Sequence, residues 1–225
     1  MNNSKLLKVI LTGSTGMVGE GVLHECLQSP GVEKVLVVNR KPCGITHPKL
    51  QELLHNDFLN LEAIKNKLQG YNACLFCLGV SSVGMDKKQY ELLTYTLTMH
   101  FADTLSAVNP EMVFCYISGA GTDSTENGKV HWARVKGKTE NDLQKLPFAA
   151  VYNFRPAMLQ PTPGLKNTLS FYKYVGWLIP LFNFVAPNYI SRLADLGKSM
   201  IAAAASGYNK SIIEVKDIKI LSSGV

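Results

Sequence analysis

Short apolar runs alternate with longer amphipathic stretches through the first two thirds of the chain. Leu6 to Thr12 is apolar and partly β-branched and reads as a buried strand, and Met17 to Gln28 places Val18, Val22, Leu23 and Leu27 at helical spacing. Further apolar runs follow at Val35 to Val38, Leu50 to His55, Ala73 to Leu78, Met112 to Ile117 and Phe148 to Phe154, with helical patterns at Leu61 to Leu68, Lys88 to Val108 and His131 to Leu146 between them. Strands that alternate with helices of this length predict right-handed crossovers and a parallel sheet covered on both faces. The fold class is α/β, a doubly wound parallel sheet.

Beyond Phe154 the pattern changes. Pro156, Pro161, Pro163, Pro180 and Pro187 interrupt an aromatic stretch with few charges, so residues 156–206 are expected to form a small C-terminal lobe over the sheet, within one domain spanning 1–225. Tyr174 to Ser191 carries no charge over 18 residues, yet Pro180, Pro187, Asn183 and Asn188 interrupt it, and a pocket cover fits better than a membrane span. Leu193 to Ser206 reads as a closing helix, and Ile212 to Val215 as a last short strand.

Composition narrows the function classes. Of 225 residues 46% are hydrophobic and 18% charged, which excludes a disordered chain. Net charge is 23 − 17 = +6, but the cations are scattered. The densest group, Lys129, Arg134, Lys136 and Lys138, falls on a predicted helix and suits a small anion better than nucleic acid. Five cysteines, three of them in apolar strand-like runs, argue against a disulfide framework. In Cys74-Leu-Phe-Cys77 the two thiols would face opposite sides of a strand, and His24, His47, His55 and His100 are too scattered for a metal site. The apolar run at the amino terminus, about seven residues, is shorter than a signal-peptide core, so a cytoplasmic protein is expected.

Chemistry enters at Gly13-Ser14-Thr15-Gly16-Met17-Val18-Gly19, a G-x-x-G-x-x-G turn between a strand and a helix. Unpaired N–H groups and the positive end of the helix dipole favour a phosphate there: Gly13 permits the tight turn, Gly16 the close approach, Gly19 the packing of helix on strand. The turn therefore predicts a Rossmann-like dinucleotide site. A carboxylate at the end of the second strand would bind the ribose hydroxyls of NAD(H). Here Asn39-Arg40-Lys41 offers two cations and no acid, which favours NADP(H) over NAD(H). Asp57 and Phe58 after the third strand, and Leu78 and Gly79 after the fourth, fall where the adenine and the adjoining ribose would lie.

Taken together, TGSTGMVG, the Cys77-Leu78-Gly79 strand end, Ser118, VKGKTE at 135–140 and FRPAML at 154–159 resemble the short-chain dehydrogenase/reductases. More narrowly they resemble the atypical, nucleoside-diphosphate-sugar-epimerase-like branch that includes the Tat-interacting-protein-like oxidoreductases. The resemblance implies that Ser118 orients a substrate carbonyl, that Lys136 binds ribose, and that Arg155-Pro156 ends the sixth strand with the backbone of Ala157 to Leu159 facing the nicotinamide, which counts Arg155, Pro156, Ala157 and Met158 among the cofactor-binding residues. It also implies a tyrosine four residues before Lys136, where this chain has Trp132. An indole N–H donates a hydrogen bond but has no proton to give near neutral pH. The helical run 88–108 also lacks the asparagine that often holds a relay water in that family. His131, beside Trp132, is a candidate substitute acid.

Three readings stay open. One is an NADP(H)-dependent oxidoreductase with Ser118, Lys136 and Trp132 at its catalytic corner, acting on an unidentified small carbonyl-type substrate. The others are a catalytically silent NADP(H)-binding redox sensor or scaffold, and a membrane-surface protein using Tyr172 to Val185. The first is the working expectation, with no nucleic acid, no membrane span and room for a homo-oligomer.

Overall fold

A computed structural model describes residues 6–168 and 190–224. β1 (Leu7–Thr12), β2 (Val32–Asn39), β3 (Leu50–Leu54), β4 (Ala73–Phe76), β5 (Val113–Ile117), β6 (Ala150–Arg155) and β9 (Ile212–Glu214) form a seven-stranded sheet in the order β3-β2-β1-β4-β5-β6-β9. Every neighbouring pair is parallel. The chain winds outward from β1 in one direction through β2 and β3, and in the other through β4, β5 and β6. The order thus reverses between β1 and β4, and a crevice opens beyond the carboxyl ends of these two strands.

The period of two along each strand sorts the core into two layers. On one face Val9, Leu11, Val35 and Val37 pack under α1 (Met17–Gln28) and α5 (Leu193–Ser206) through Val22, Leu23, Leu193, Leu196 and Met200. On the other, Ile10, Leu36, Val38, Phe76 and Phe114 meet Phe101 and Leu105 of α3 (Leu97–Val108). This second layer is aromatic, with Phe76 stacked on Phe114 at 5.8 Å between ring centroids.

Several elements depart from the sequence pattern. The helical stretch expected at 61–68 is present at 62–68 and is a 3-10 helix. The helix expected over 88–108 is α2 (Lys87–Glu91), a π turn (Leu92–Thr96) and α3 in succession. The π turn packs against α4 (His131–Leu143), where the Tyr95 hydroxyl donates to Asp142 at 2.8 Å and Lys138 lies 4.4 Å from the Tyr95 ring centroid. β7 (Met158–Gln160) and β8 (Ile190–Arg192) pair as a separate parallel sheet that three-residue strands leave no periodicity to reveal. Val215, read as the end of a strand, instead opens α6 (Val215–Ser222), because Glu214 and Asp217 form a capping box.

α5 is a layer of the core rather than part of an overlying lobe. Glycines let it approach α1: a Cβ on Gly21 would lie 2.3 Å from the Leu193 side chain, and one on Gly197 would lie 2.7 Å from that of Glu25. Glu20 of α1, buried, accepts the backbone N–H groups of Lys166 and Asn167 at 2.9 and 2.7 Å, tying the segment after β7 to the same helix. The apolar stretch from Tyr174, up to Tyr189, lies outside the described residues. Among the described residues no helix is long and apolar enough to cross a membrane.

Candidate functional site

The glycine turn occupies the crevice between β1 and β4. Gly13 has φ +73°, and a Cβ there would stand 2.8 Å from the Cys77 carbonyl oxygen, so only glycine fits. A Cβ on Gly19 would lie 2.1 Å from the Gly13 carbonyl oxygen, which holds α1 against the turn. Gly16 differs: it is exposed and extended, and its missing Cβ would touch only Gly13 O at 3.5 Å. No side chain caps α1, and the first intrahelical bond runs from Glu20 N to Gly16 O at 2.9 Å. The N–H groups of Met17, Val18 and Gly19 therefore face a cleft of about 250 Å³ without an intrahelical partner. Gly13 and Gly19 are thus required by close backbone contacts within the turn, and Gly16 is the open position.

Two further clefts adjoin this one, and Arg40 borders all three. The first is apolar, walled by Phe58, Leu78, Gly79, Val80 and Leu97, with Asp57 at its rim. Asp57 spends a carboxylate oxygen on Leu59 N at 3.0 Å, and Phe58 is held by stacking on Phe101. The second is lined by the polar residues Thr15, Arg40, Lys41 and Asn56. Neither Arg40 nor Lys41 has an ion pair or a hydrogen bond among the described residues. Asn39 does not share this surface: it is buried, and its amide donates to Ser14 Oγ at 2.7 Å and to Glu52 Oε1 at 3.2 Å. Ser14 and Asn39, both expected to bind the cofactor, thus brace the turn with their side chains instead.

Beyond β5 the chain builds a buried charged corner. Ser118 donates its hydroxyl to Glu140 Oε1, with the Phe154 carbonyl 3.1 Å away, and Lys136 Nζ donates to the Ser118 carbonyl. Glu140, whose side chain is 2% exposed, is gripped by the Arg155 guanidinium through Nε at 3.0 Å and Nη2 at 2.5 Å. Arg155 also reaches Ser124 Oγ at 2.5 Å and Glu214 at 3.5 Å. This bidentate pair joins the VKGKTE segment of α4 to the FRPAML segment at the end of β6. It also corrects the expectation for Arg155, which is spent on Glu140 rather than on a nucleotide. Ser118 is likewise turned into the protein, toward the strongest acceptor nearby.

Burial lowers the Lys136 amine to about 8, a shift that Glu140 partly opposes. α4 can carry Lys136 this close because Gly137 lacks a Cβ, which would otherwise stand 1.8 Å from the Asp123 carbonyl oxygen. One turn earlier, Trp132 lies over the glycine loop after β5, so that a Cβ added to Gly121 would sit 3.6 Å from its ring. Pro156 is buried, while Met158 is 39% exposed at the start of β7.

The cation group on α4 does not form one patch. Arg134 donates to Gly128 O at 2.6 Å, Lys138 pairs with Asp142 at 2.8 Å, and only Lys136 turns to the Ser118 corner. His131 faces α2, edge-on to Tyr90 and 3.4 Å from Lys87 O, which removes it as a substitute acid beside Ser118. All five cysteines are free; burial raises the thiol of Cys26 to about 12 and pushes those of Cys74 and Cys77 well up. Glu140 and Glu52 were missed from the pattern. For Glu140 the signal was available, since an acid three residues past Gly137 falls on the apolar side of the helix.

No family model matches the chain. A protein of the leucinostatins biosynthesis cluster, protein T of Purpureocillium lilacinum, is 27% identical over 227 residues, covering 86% of this chain and 83% of its own. The mitochondrial proteins FMP52-1 of Scheffersomyces stipitis and FMP52 of Debaryomyces hansenii are 25% and 24% identical, covering 73% and 72% of this chain and 74% and 73% of theirs. These mitochondrial relatives overturn the expectation of a cytoplasmic protein. Among solved structures, a UDP-N-acetylglucosamine 4-epimerase of Methanobrevibacter ruminantium superposes with a TM-score of 0.67 at 13% identity, over 93% of this chain and 76% of that one. WbmF of Bordetella bronchiseptica, in complex with NAD+, gives 0.66 at 16% identity over 99% and 78%. L-Sorbose reductase of Gluconobacter frateurii, in complex with NADPH and L-sorbose, gives 0.65 at 12% over 92% and 93%. The resemblance to the short-chain dehydrogenase/reductases and epimerases is thus borne out in the fold, a Rossmann-like parallel sheet.

Proposed function

We propose that this protein is an NADP(H)-binding oxidoreductase acting on a small carbonyl-type substrate. One observation carries the reading: the bare N-terminus of α1, open at Gly16, lies beside two cations that have no partner among the described residues. The N–H groups of Met17, Val18 and Gly19 hold the pyrophosphate, and the cleft walled by Phe58 and Leu78 encloses the adenine. Arg40 and Lys41, with Thr15 and Asn56, hold the 2′-phosphate, which a site for NAD(H) has no use for. The preference for NADPH over NADH belongs to this proposal, and WbmF and L-sorbose reductase show that the fold accommodates either nucleotide.

Bound NADPH supplies a hydride. The chain must then orient a carbonyl and deliver a proton. Trp132 can donate a hydrogen bond, Ser118 is engaged by Glu140, and Lys136, lowered to about 8, is the group at this corner able to give up a proton near neutral pH.

The committed Ser118 hydroxyl and the indole at position 132 favour a second reading, nucleotide binding without turnover. NADPH oxidation with a broad carbonyl mixture, run on wild type and Lys136→Met, separates the two. A wild-type rate above the protein-free control that falls in Lys136→Met supports the enzyme; NADPH binding with no rate supports the silent binder.

A further inference from the structure

The segment that carries Arg40 and Lys41 leaves β2 at Asn39 and reaches Cys43 within four residues. Both ends of it are fastened to one atom. Glu52 Oε1, on the neighbouring strand β3, accepts Asn39 Nδ2 at 3.2 Å and Cys43 N at 2.8 Å. The same Asn39 amide donates to Ser14 Oγ at 2.7 Å. A single hydrogen-bonded chain, Ser14 to Asn39 to Glu52 to Cys43, therefore runs from the glycine turn across the base of the cation-bearing loop. Register places Glu52 there, because β2 and β3 pair with Val37 opposite Glu52 and Asn39 opposite Leu54. Glu52 forms no ion pair with Arg40 or Lys41, so it does not neutralise the cations it anchors.

We propose that Glu52 is a positioning residue for cofactor selectivity: its carboxylate oxygen holds the loop so that Arg40 and Lys41 face the polar cleft beside Thr15. This rests on the NADP(H) reading of that cleft. Charge and position predict opposite signs. A carboxylate acting only through its charge would repel a 2′-phosphate, so removing it would tighten NADPH binding. A carboxylate acting as an anchor would weaken NADPH binding when lost, and NADH, which has no 2′-phosphate, would be spared.

The test is titration of NADPH and NADH into wild type, Glu52→Ala and Glu52→Gln by nucleotide fluorescence, with amide hydrogen exchange at Cys43 on the nucleotide-free proteins. Glutamine retains the Oε1 acceptor for both donors without the charge. We expect Glu52→Ala to weaken NADPH roughly tenfold and NADH less than about twofold, to expose the Cys43 amide, and Glu52→Gln to stay within about twofold of wild type on each readout. Tighter NADPH binding in both variants, or no change in Glu52→Ala, overturns the positioning role while leaving the NADP(H) site standing. A wild type without a preference for NADPH overturns the reading of the site, and the role of Glu52 falls with it, whatever Cys43 shows.

Discussion

Replacing Gly16 by valine tests the site with little disturbance of the fold. Gly16 has φ −108° and ψ 165°, a conformation that suits a β-branched residue, and its Cβ would meet only Gly13 O at 3.5 Å. Valine is a poorer N-cap than glycine by about 1 kcal/mol, and the stiffer unfolded chain returns roughly 0.4–1 kcal/mol. Net stability should stay within about 1 kcal/mol of wild type, a change in Tm of at most about 4 °C for a domain of this size. The isopropyl group, however, projects over the first N–H groups of α1. Each charge-assisted hydrogen bond to phosphate is worth about 1.5–3 kcal/mol, so losing two weakens NADPH by about 3–6 kcal/mol, at least 100-fold. NADPH fluorescence titration and thermal unfolding of the same preparation read the two effects separately. Gly19→Ala is the contrast, because its Cβ would lie 2.1 Å from a backbone oxygen and α1 must move. It should unfold well below wild type. Normal NADPH binding by Gly16→Val would place the nucleotide away from the glycine turn and refute the reasoning, as would a Gly16→Val that unfolds while Gly19→Ala does not.

Arg40→Ala should cost NADPH about tenfold and NADH less than about twofold, measured by the same titration, with equal losses counting against a 2′-phosphate contact. Glu140→Ala leaves the Arg155 guanidinium with only Ser124 and the half-exposed Glu214 as partners and should destabilise by about 3 kcal/mol in urea unfolding, the low end for a broken buried pair and far more than Ser118→Ala; a change below about 1 kcal/mol would mean that the pair is not held in solution. Lys136 titrates at about 8 in the folded chain against about 10.4 in the unfolded one, so between those values the unfolded chain binds more protons and stability rises with pH. Urea unfolding across that range should show the rise in wild type and a flatter profile in Lys136→Met. Trp132→Tyr restores the Tyr-x-x-x-Lys spacing with Lys136 and should raise NADPH oxidation of a carbonyl mixture if the wild type is silent, whereas Trp132→Phe should not; a drop in both variants indicates an indole that already serves an active pocket.

The sheet and the glycine turn at its crevice were legible in the linear chain because both depend on local pattern. Continuous apolar runs such as Val35 to Val38 suit strands buried on both faces of a covered parallel sheet, and Gly13, Gly16 and Gly19 act through backbone conformation and the absence of a Cβ, properties that belong to the residue itself. α1 and α5 were likewise marked by their helical spacing alone. Some short pieces were not: β7 and β8 are too brief to impose a period, residues 62–68 were legible as helical but not as 3-10, and α6 depends on a capping box that competes with a strand signal at Val215.

What tertiary structure decided is which polar side chains remain free. Arg40, Lys41, Arg134, Lys138 and Arg155 look alike in sequence, yet among the described residues only the first two are left without an ion pair or hydrogen bond, while Arg155 is claimed by Glu140 from a helix 15 residues earlier. Ser118 and Ser14 kept their expected positions and lost their expected freedom, because Glu140 and Asn39 arrive from distant segments to meet their hydroxyls. A buried polar group must find a partner wherever the fold supplies one, and that partner is fixed by packing across the sheet rather than by spacing along the chain.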